Sequence, residues 1–429
     1  MKRIYFLLAT SIVCNAASAQ LRLPSLGLPP GLGQLDNLRA PVQRLADRID
    51  LPDLRALRLD TVGKLLREHP DVLEPDPQGE PAVRAQILAW SPSAAGLEAA
   101  RQAGLRVLGE ERFEELGQSL VVLGVPAGGA TAALLERLRA LDPEGHYDFN
   151  HVYTGSGAAP AAALPRAATP SSTAGSPASE ARVGLIDSGI DAGHRALRDA
   201  RIRAWGCDGV AHPDAHGTAV AALMVGHDER FRGALPGAQL FAADIYCASP
   251  TGGSAGQIAA ALGWLAREQV GVINLSLVGP PNQALERMVA AMVARGHLLV
   301  AAVGNDGPAA PPLYPASYPG VVGVTGVDRR GRPLPEAARG PQVLFAAPGN
   351  NMASASPGEP PYRPVRGTSF AAPIVAGLLA PALPRPDRRQ ARDAIAALAH
   401  RAGDGTTVSN AFGYGIVGAD LRSDPAQLR

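Results

Sequence analysis

An excess of either charge is missing from this 429-residue chain: 40 Lys and Arg face 39 Asp and Glu, a net charge of +1. Such balance argues against nucleic acid or an anionic membrane as the main partner. Aromatic residues are scarce, at 4%. Alanine, glycine, leucine and proline dominate instead, and they leave ample material for a sizeable core. No stretch beyond the N-terminus is long and apolar enough for a membrane helix. Nothing after Ala419 could form an outer-membrane barrel or another anchor. Only three cysteines are present. Cys14 lies in a segment expected to be removed, which leaves Cys207 and Cys247. In an oxidising compartment such a pair can form a disulfide; two buried thiols are the other reading, and the sequence leaves both open.

The removed segment is the N-terminus. Lys2 and Arg3 precede the apolar run Ile4–Val13, too short to cross a bilayer, and Ala17-Ser18-Ala19 supplies small residues before Gln20. This is the pattern of an export signal over residues 1–19. Val13 is too bulky for Cys14 to be a lipid-anchor cysteine. The protein is therefore expected in the periplasm or outside the cell, without a membrane anchor.

Beyond the signal the chain divides into four parts. Residues 20–81 are rich in Leu, Pro, Arg and Asp and broken by Pro24, Pro29, Pro30, Pro41 and Pro52. They read as a solvated linker or adaptor with short helical pieces, such as Thr61 to His69. Residues 82–154 alternate strand and helix patterns: 83–90, helix 94–103, 105–108, 119–125, helix 130–141, 147–153. That β-α-β-β-α-β order is the ferredoxin-like pattern. Residues 155–179 are Ala/Pro/Ser/Thr/Gly-rich and read as a flexible linker. Residues 180–429 alternate near-continuous apolar strands (183–186, 239–246, 271–277, 298–303, 321–324, 342–345) with helices (258–268, 283–295). Strands apolar on both faces predict an α/β domain with a doubly wound, mostly parallel sheet covered by helices on both sides. Function in such sheets collects at the carboxyl ends of strands, where Asp187 and Asn305 fall.

Gly367-Thr368-Ser369-Phe370-Ala371-Ala372-Pro373 is the stretch that carries the chemistry. A glycine permits a sharp turn, and Pro373 fits only a first helical turn. Ser369 thus sits where a loop becomes a buried helix, beside unpaired N–H groups. Alone, such a serine is most simply a helix cap. Two further segments change that reading. Asp187 ends an apolar strand, and His216-Gly217-Thr218 opens the apolar run Ala219–Met224. A hydroxyl needs an imidazole to take its proton, and the imidazole needs a carboxylate to fix its tautomer. The chain order Asp, His, Ser is one of the known arrangements of that trio.

These residues resemble the subtilisin-like serine protease family. Val183–Ile190 is similar to its aspartate motif, His216-Gly217-Thr218 to its histidine motif, and Gly367–Pro373 to its serine motif. Ala301-Ala302-Val303-Gly304-Asn305 resembles its oxyanion segment, and Asn274-Leu275-Ser276-Leu277 a substrate-binding strand. Tyr314-Pro315-Ala316 and Ala347-Pro348-Gly349 match as well. The likeness runs from about Ala181 to Ala419, and residues 82–154 resemble the family's inhibitory pro-domain by pattern. The resemblance implies Ser369 as nucleophile, His216 as base and then acid, and Asp187 as its orienting carboxylate. Asn305 and the Ser369 backbone N–H would bind the oxyanion. Ser276, Leu277, Val278, Gly279, Ala302 and Gly304 would line the substrate site, favouring a large apolar or uncharged side chain before the cut; Asp306 could instead favour a basic one. The resemblance also brings Cys207 near Cys247, which favours the disulfide, and implies a cis Tyr314–Pro315 bond. Substrates would be proteins or peptides, with the pro-domain as intramolecular inhibitor of a monomeric, self-processed precursor.

Two departures stand out. Ala219 replaces a second histidine that the family often carries, and Val225–Leu235 lacks the Asn-rich loop that commonly binds calcium. No metal or other cofactor is expected. Two rival readings exist. In a metallohydrolase, His212 and His216, with Asp208 and Asp214, would hold a metal; against it, Pro213 pushes His212 into an extended conformation. In a non-catalytic peptide-binding protein the same fold would bind without cutting, which nothing in the sequence favours.

Overall fold

The computed structural model describes residues 54–155 and 181–428. The export signal, most of the Leu/Pro-rich extension and the Ala/Pro-rich linker lie outside the described residues. No helix among the described residues is long and apolar enough to cross a membrane.

The extension is not only linker. It contributes α1 (Leu54–Glu68) and β1 (Leu73–Pro75), and β1 pairs antiparallel with the start of β2 (Pro81–Trp90). Leu73 and Val62 are buried there. The expected solvated tract through residue 81 is corrected by this: its second half adds a helix and a strand to the next unit. That unit continues with α2 (Ala94–Gln102), β3 (Arg106–Phe113), β4 (Gln118–Gly124), α3 (Thr131–Leu141) and β5 (His146–His151). The strand order β5-β2-β4-β3, all antiparallel, is that of a ferredoxin-like unit.

Alternation along β2 gives this sheet two apolar faces. Ile87 and Ala89 point with Val121 and Leu123 toward Leu135, Leu138 and Ala99 of the unit's own helices. Leu88 and Trp90 point the other way, with Phe113 and Leu120, and join a second core. Its other half comes from two helices of the C-terminal domain, α5 (Ala255–Arg267) and α6 (Gln283–Arg295), through Ile258, Leu262, Leu285 and Met288. Gly263 of α5 makes room for this contact: a Cβ there would stand 2.3 Å from Cδ1 of Phe113. Asp148 and Asn150 of β5 accept hydrogen bonds from Gln283 N and Gly256 N, in the first turns of the same helices.

After β6 (Thr154–Gly155), the C-terminal domain runs β7 (Arg182–Asp187), β8 (Arg201–Trp205), α4 (Ala215–Val225), β9 (Gln239–Asp244), α5, β10 (Val272–Leu275), β11 (Leu277–Val278), α6, β12 (Leu298–Ala302), β13 (Val322–Val327) and β14 (Val343–Pro348). A hairpin, β15 (Met352–Ala355) and β16 (Tyr362–Val365), precedes α7 (Ala372–Leu379) and α8 (Arg388–Ala402). Seven strands form one parallel sheet in the order β14-β13-β12-β10-β7-β9-β8. Val183 and Leu185 of β7 face α4 and α7, whereas Ile186 faces α5 and α6. Residues 217–225 of α4 are all buried, as expected of a helix apolar on every side. The strand order reverses at β7, so a crevice opens beyond its carboxyl end.

β9 stops at Asp244, two residues before the expected end, because the Asp244 carboxylate accepts from the N–H groups of Tyr246 and Cys247 and turns the chain. Cys207 and Cys247 form a disulfide across the ends of β8 and β9. The Tyr314–Pro315 bond is cis.

Candidate active site

Asp187 is the last residue of β7 and is sealed from water at 2% exposure. Its Oδ1 accepts from the Ser188 N–H at 2.7 Å and lies 2.7 Å from Nδ1 of His216. His216 is the second residue of α4, whose N-cap, Asp214, accepts from the His216 backbone N–H at 2.8 Å. Ser188 ties the two elements together: its Oγ donates to Asp214 at 2.8 Å and accepts from Gly217 N–H at 3.0 Å. The close approach needs Gly217, where a Cβ would fall 2.1 Å from the Ser188 carbonyl oxygen. Strand end and helix start are thereby fixed at the spacing that brings carboxylate to imidazole.

Burial alone would push the His216 pKa down; the charge and hydrogen bond of Asp187 outweigh it and hold the ring above the ordinary histidine value. Phe370 packs on the ring at 5.3 Å between centroids. Nε2 of His216 is buried and meets no hydrogen-bond partner among the described residues.

Ser369 lies in a 3₁₀ turn, Thr368–Phe370, entered through Gly367 at φ 133° and followed by α7. The helix-cap reading fails, because neither the turn nor α7 has a side-chain cap. Ser369 Oγ donates to the Ser276 carbonyl at 3.5 Å, and Ser276 Oγ donates to the Ser369 carbonyl at 2.9 Å. The strand end at β10 and the serine turn are thus paired. Asn305 Oδ1 accepts from Thr368 N–H at 3.1 Å, which orients its carboxamide relative to the serine turn. The structure joins Asp187 to His216 and Asn305 to the serine turn, while the Ser369 hydroxyl faces Ser276. Bonds of the serine-to-imidazole kind often tighten only around a substrate.

A polypeptide already lies in the crevice, and it is the chain's own. β6 runs antiparallel to β11, with Gly155 opposite Leu277 and Thr154 opposite Val278. On its other side Val152 bridges to Ser254, and Tyr153 N–H donates to the Gly253 carbonyl at 2.9 Å. A Cβ on Gly155 would stand 3.8 Å from His216 Nε2. Ser276, Leu277, Val278 and Gly279 therefore form one wall of the groove. Ala302 and Gly304 are fully buried at the carboxyl end of β12, where Gly304 N–H donates to Thr368 Oγ1. The opposite wall, Tyr246 and Gly253, is missed by sequence reasoning; the Thr251-Gly252-Gly253-Ser254 turn just past a strand end is the signal that could have found it.

His212 lies outside α4, so it shares no helix face with His216. Among the described residues the grouping Cys207, Asp244 and Cys247 has metal-ligand spacing, but its two sulfurs are bonded to each other. Asp306, a candidate for favouring a basic substrate residue, faces Arg58 of the extension at 3.5 Å, while that guanidinium also forks onto Glu80 at 3.0 Å.

Residues 178–415 match the Subtilase family. Subtilisin Savinase of Lederbergia lenta is 34% identical over 207 residues, 46% of this chain and 74% of that protein. Subtilisin E of Bacillus subtilis (strain 168) is 32% identical over 250 residues, 55% of this chain and 63% of that protein. The match to M-protease of Shouchella clausii (strain KSM-K16), 34% identical, covers 46% of this chain and spans about half of that relative's length, 53%. Among solved structures, fervidolysin from Fervidobacterium pennivorans, a keratinolytic enzyme related to subtilisin, superposes with a TM-score of 0.62 at 19% identity. That superposition covers 79% of this chain and 61% of fervidolysin, a likeness of fold.

Proposed function

The chain belongs to the subtilase family of subtilisin-like serine proteases, and from that premise we propose that it is an exported serine endopeptidase made as a self-processed precursor. The observation that carries the proposal is β6: an extended segment held by main-chain pairing on Leu277–Val278 and running past the His216 ring. A groove that holds extended polypeptide beside an imidazole and a serine is a groove for cutting it.

In this reading His216 Nε2 takes the Ser369 Oγ proton as that oxygen attacks the carbonyl carbon of the bound chain. Asp187 holds the ring through Nδ1 and stabilises the charged imidazolium. The Asn305 amide and the Ser369 backbone N–H stabilise the oxyanion. The proton then passes from His216 to the leaving amine, and water reverses the sequence to free the acyl group. The chemistry uses no cofactor.

The ferredoxin-like unit acts as intramolecular inhibitor: it caps α5 and α6 and leaves its last strand in the groove. Processing falls within the first few residues after Gly155. Export rests on Lys2, Arg3, the Ile4–Val13 run and Ala17-Ser18-Ala19, and delivers a monomer to the periplasm or beyond. The test is Ser369→Ala in the full chain. The parent should convert to a shorter form that cleaves unfolded casein, with a new N-terminus just after Gly155. The variant should stay full length by mass spectrometry, and a variant that matures unaided overturns the assignment of Ser369.

A further inference from the structure

The central strand of the parallel sheet, β10, carries a polar side chain where packing alone calls for an apolar one. Asn274 is fully buried, at 0% exposure. Its register partners are Leu185 of β7 and Val300 of β12, both in the apolar core that α4 and α7 cover. Its Oδ1 meets no hydrogen-bond partner among the described residues. Its Nδ2 donates to Ser276 Oγ at 2.9 Å, and Ser276 Oγ donates to the Ser369 carbonyl at 2.9 Å.

We propose that Asn274 is a positioning residue for the reaction, acting through Ser276 to fix the main chain of Ser369. This deepens the protease reading above and rests on it.

The direction of the relay follows from its far end. A carbonyl oxygen can only accept, so the one proton of the Ser276 hydroxyl is committed to Ser369. The Ser276 oxygen is then the acceptor toward Asn274, and the atom that faces it must be the amide nitrogen. Asn274 and Ser276 are two apart along the chain and share a face. The amide thus holds the hydroxyl in the rotamer from which it reaches Ser369.

The Ser369 carbonyl needs such a partner. In a helix it would accept from the N–H four residues on, but that residue is Pro373, which has none. Ser276 Oγ reaches the carbonyl from the strand side instead. The carbonyl carbon is one bond from the Cα on which the side chain and the backbone nitrogen of Ser369 are mounted. Holding it therefore holds both the attacking hydroxyl and the N–H assigned to the oxyanion. A misplacement of about 1 Å in such a group can cost roughly a hundredfold in rate.

The test follows the precursor's own first cut, and then kcat and KM of enzyme matured in trans by the parent, on a quenched peptide of sequence His-Val-Tyr-Thr-Gly-Ser-Gly-Ala-Ala. Asn274→Leu, close to the same shape, should slow the first cut and kcat by about 10- to 100-fold. KM should stay within about twofold. Ser276→Ala should lose a similar factor, and the double variant no more than the larger single loss, because both changes break one relay. A merely structural asparagine would instead lower the denaturant midpoint of the uncut Ser369→Ala form and leave kcat per folded molecule at the parent's level; that result overturns the relay, as do losses that multiply in the double variant. If Asn274→Leu does not fold, Ser276→Ala decides: kcat at the parent's level overturns the relay, and the same loss at unchanged KM upholds it. A parent that cuts neither itself nor casein refutes the protease reading instead.

Discussion

Gly263→Ala should shift the stability of precursor and mature protease in opposite directions. Gly263 sits in the middle of α5, where glycine is about 0.5–1 kcal/mol worse than alanine because it loses more backbone freedom on folding. Its φ is not positive, so alanine fits the backbone. In the mature protease the substitution should therefore stabilise by roughly that amount. In the precursor the same position meets Phe113, whose ring would stand 2.3 Å from the new methyl. Phe113 has little room to retreat: it is 1% exposed and stacked on Trp90 at 5.8 Å. Overpacking of this kind costs about 1–3 kcal/mol. The ferredoxin-like unit should then hold the protease roughly 5- to 150-fold less tightly. Denaturant unfolding of the uncut Ser369→Ala precursor, with and without the Gly263 change, measures one side. The same measurement on the matured, inhibited enzyme measures the other. Precursor and mature forms stabilised equally would refute the reasoning, for that result requires Phe113 to pack somewhere else.

The acid limb of kcat/KM should have its midpoint above the ordinary histidine value of about 6.5, since His216 must be neutral to act and Asp187 holds its pKa up. Asp187→Asn should lower turnover roughly 10⁴-fold and move that midpoint down, as burial alone then acts on the ring; an unmoved midpoint counts against Asp187 as its source. By the same shift, the charged ring stabilises the fold below about pH 6.5 and stops doing so as pH rises through the raised value. Tyr362→Phe removes the hydroxyl that Asp228 accepts and should cost about 1–2 kcal/mol at pH 7 in chemical denaturation. Asp228 is held below the usual carboxylate range: burial would raise it, but Tyr362, the Arg230 and Phe231 N–H groups and Arg195 outweigh that. The parent's advantage over Tyr362→Phe should therefore be present above about pH 4 and shrink as the carboxylate protonates below it. Replacing Cys207 and Cys247 by serine releases a cross-link between residues 40 apart, worth up to about 4 kcal/mol, and should lower the unfolding temperature by several degrees; an unchanged temperature argues against the bond.

Legibility in the sequence tracks how local each signal is. Helix α6 is legible to the residue, because Asn282 caps it, Gly296 closes it in the left-handed region, and its apolar spacing is regular. Strands β7, β10 and β12 are plain as buried apolar runs, though the run read as one strand over 271–277 splits at Ser276 into β10 and β11, which belong to different sheets. Edge strand β8 is Arg-Ile-Arg-Ala-Trp, half exposed, so it has no apolar run to find. Helix α1 lacks that regularity too: Leu57 and Leu59 are exposed, and what orders it is long-range, through Arg58 on Glu80 and Asp306. The Asp187, His216 and Ser369 segments are visible from their glycines and flanking apolar runs. The second groove wall is not, since Tyr246 and Gly253 acquire meaning only from the strand that passes between them and β11.

That strand also fixes a clock. Because β6 and β11 belong to one polypeptide, the groove meets its first peptide at an effective concentration on the order of millimolar, set by the tether and not by how many molecules share the solution. If the chain processes itself as proposed, its first cut is first order: a nanomolar and a micromolar sample should make that cut with the same half-time. On that proposal each molecule times its own first cut, whatever its neighbours are doing.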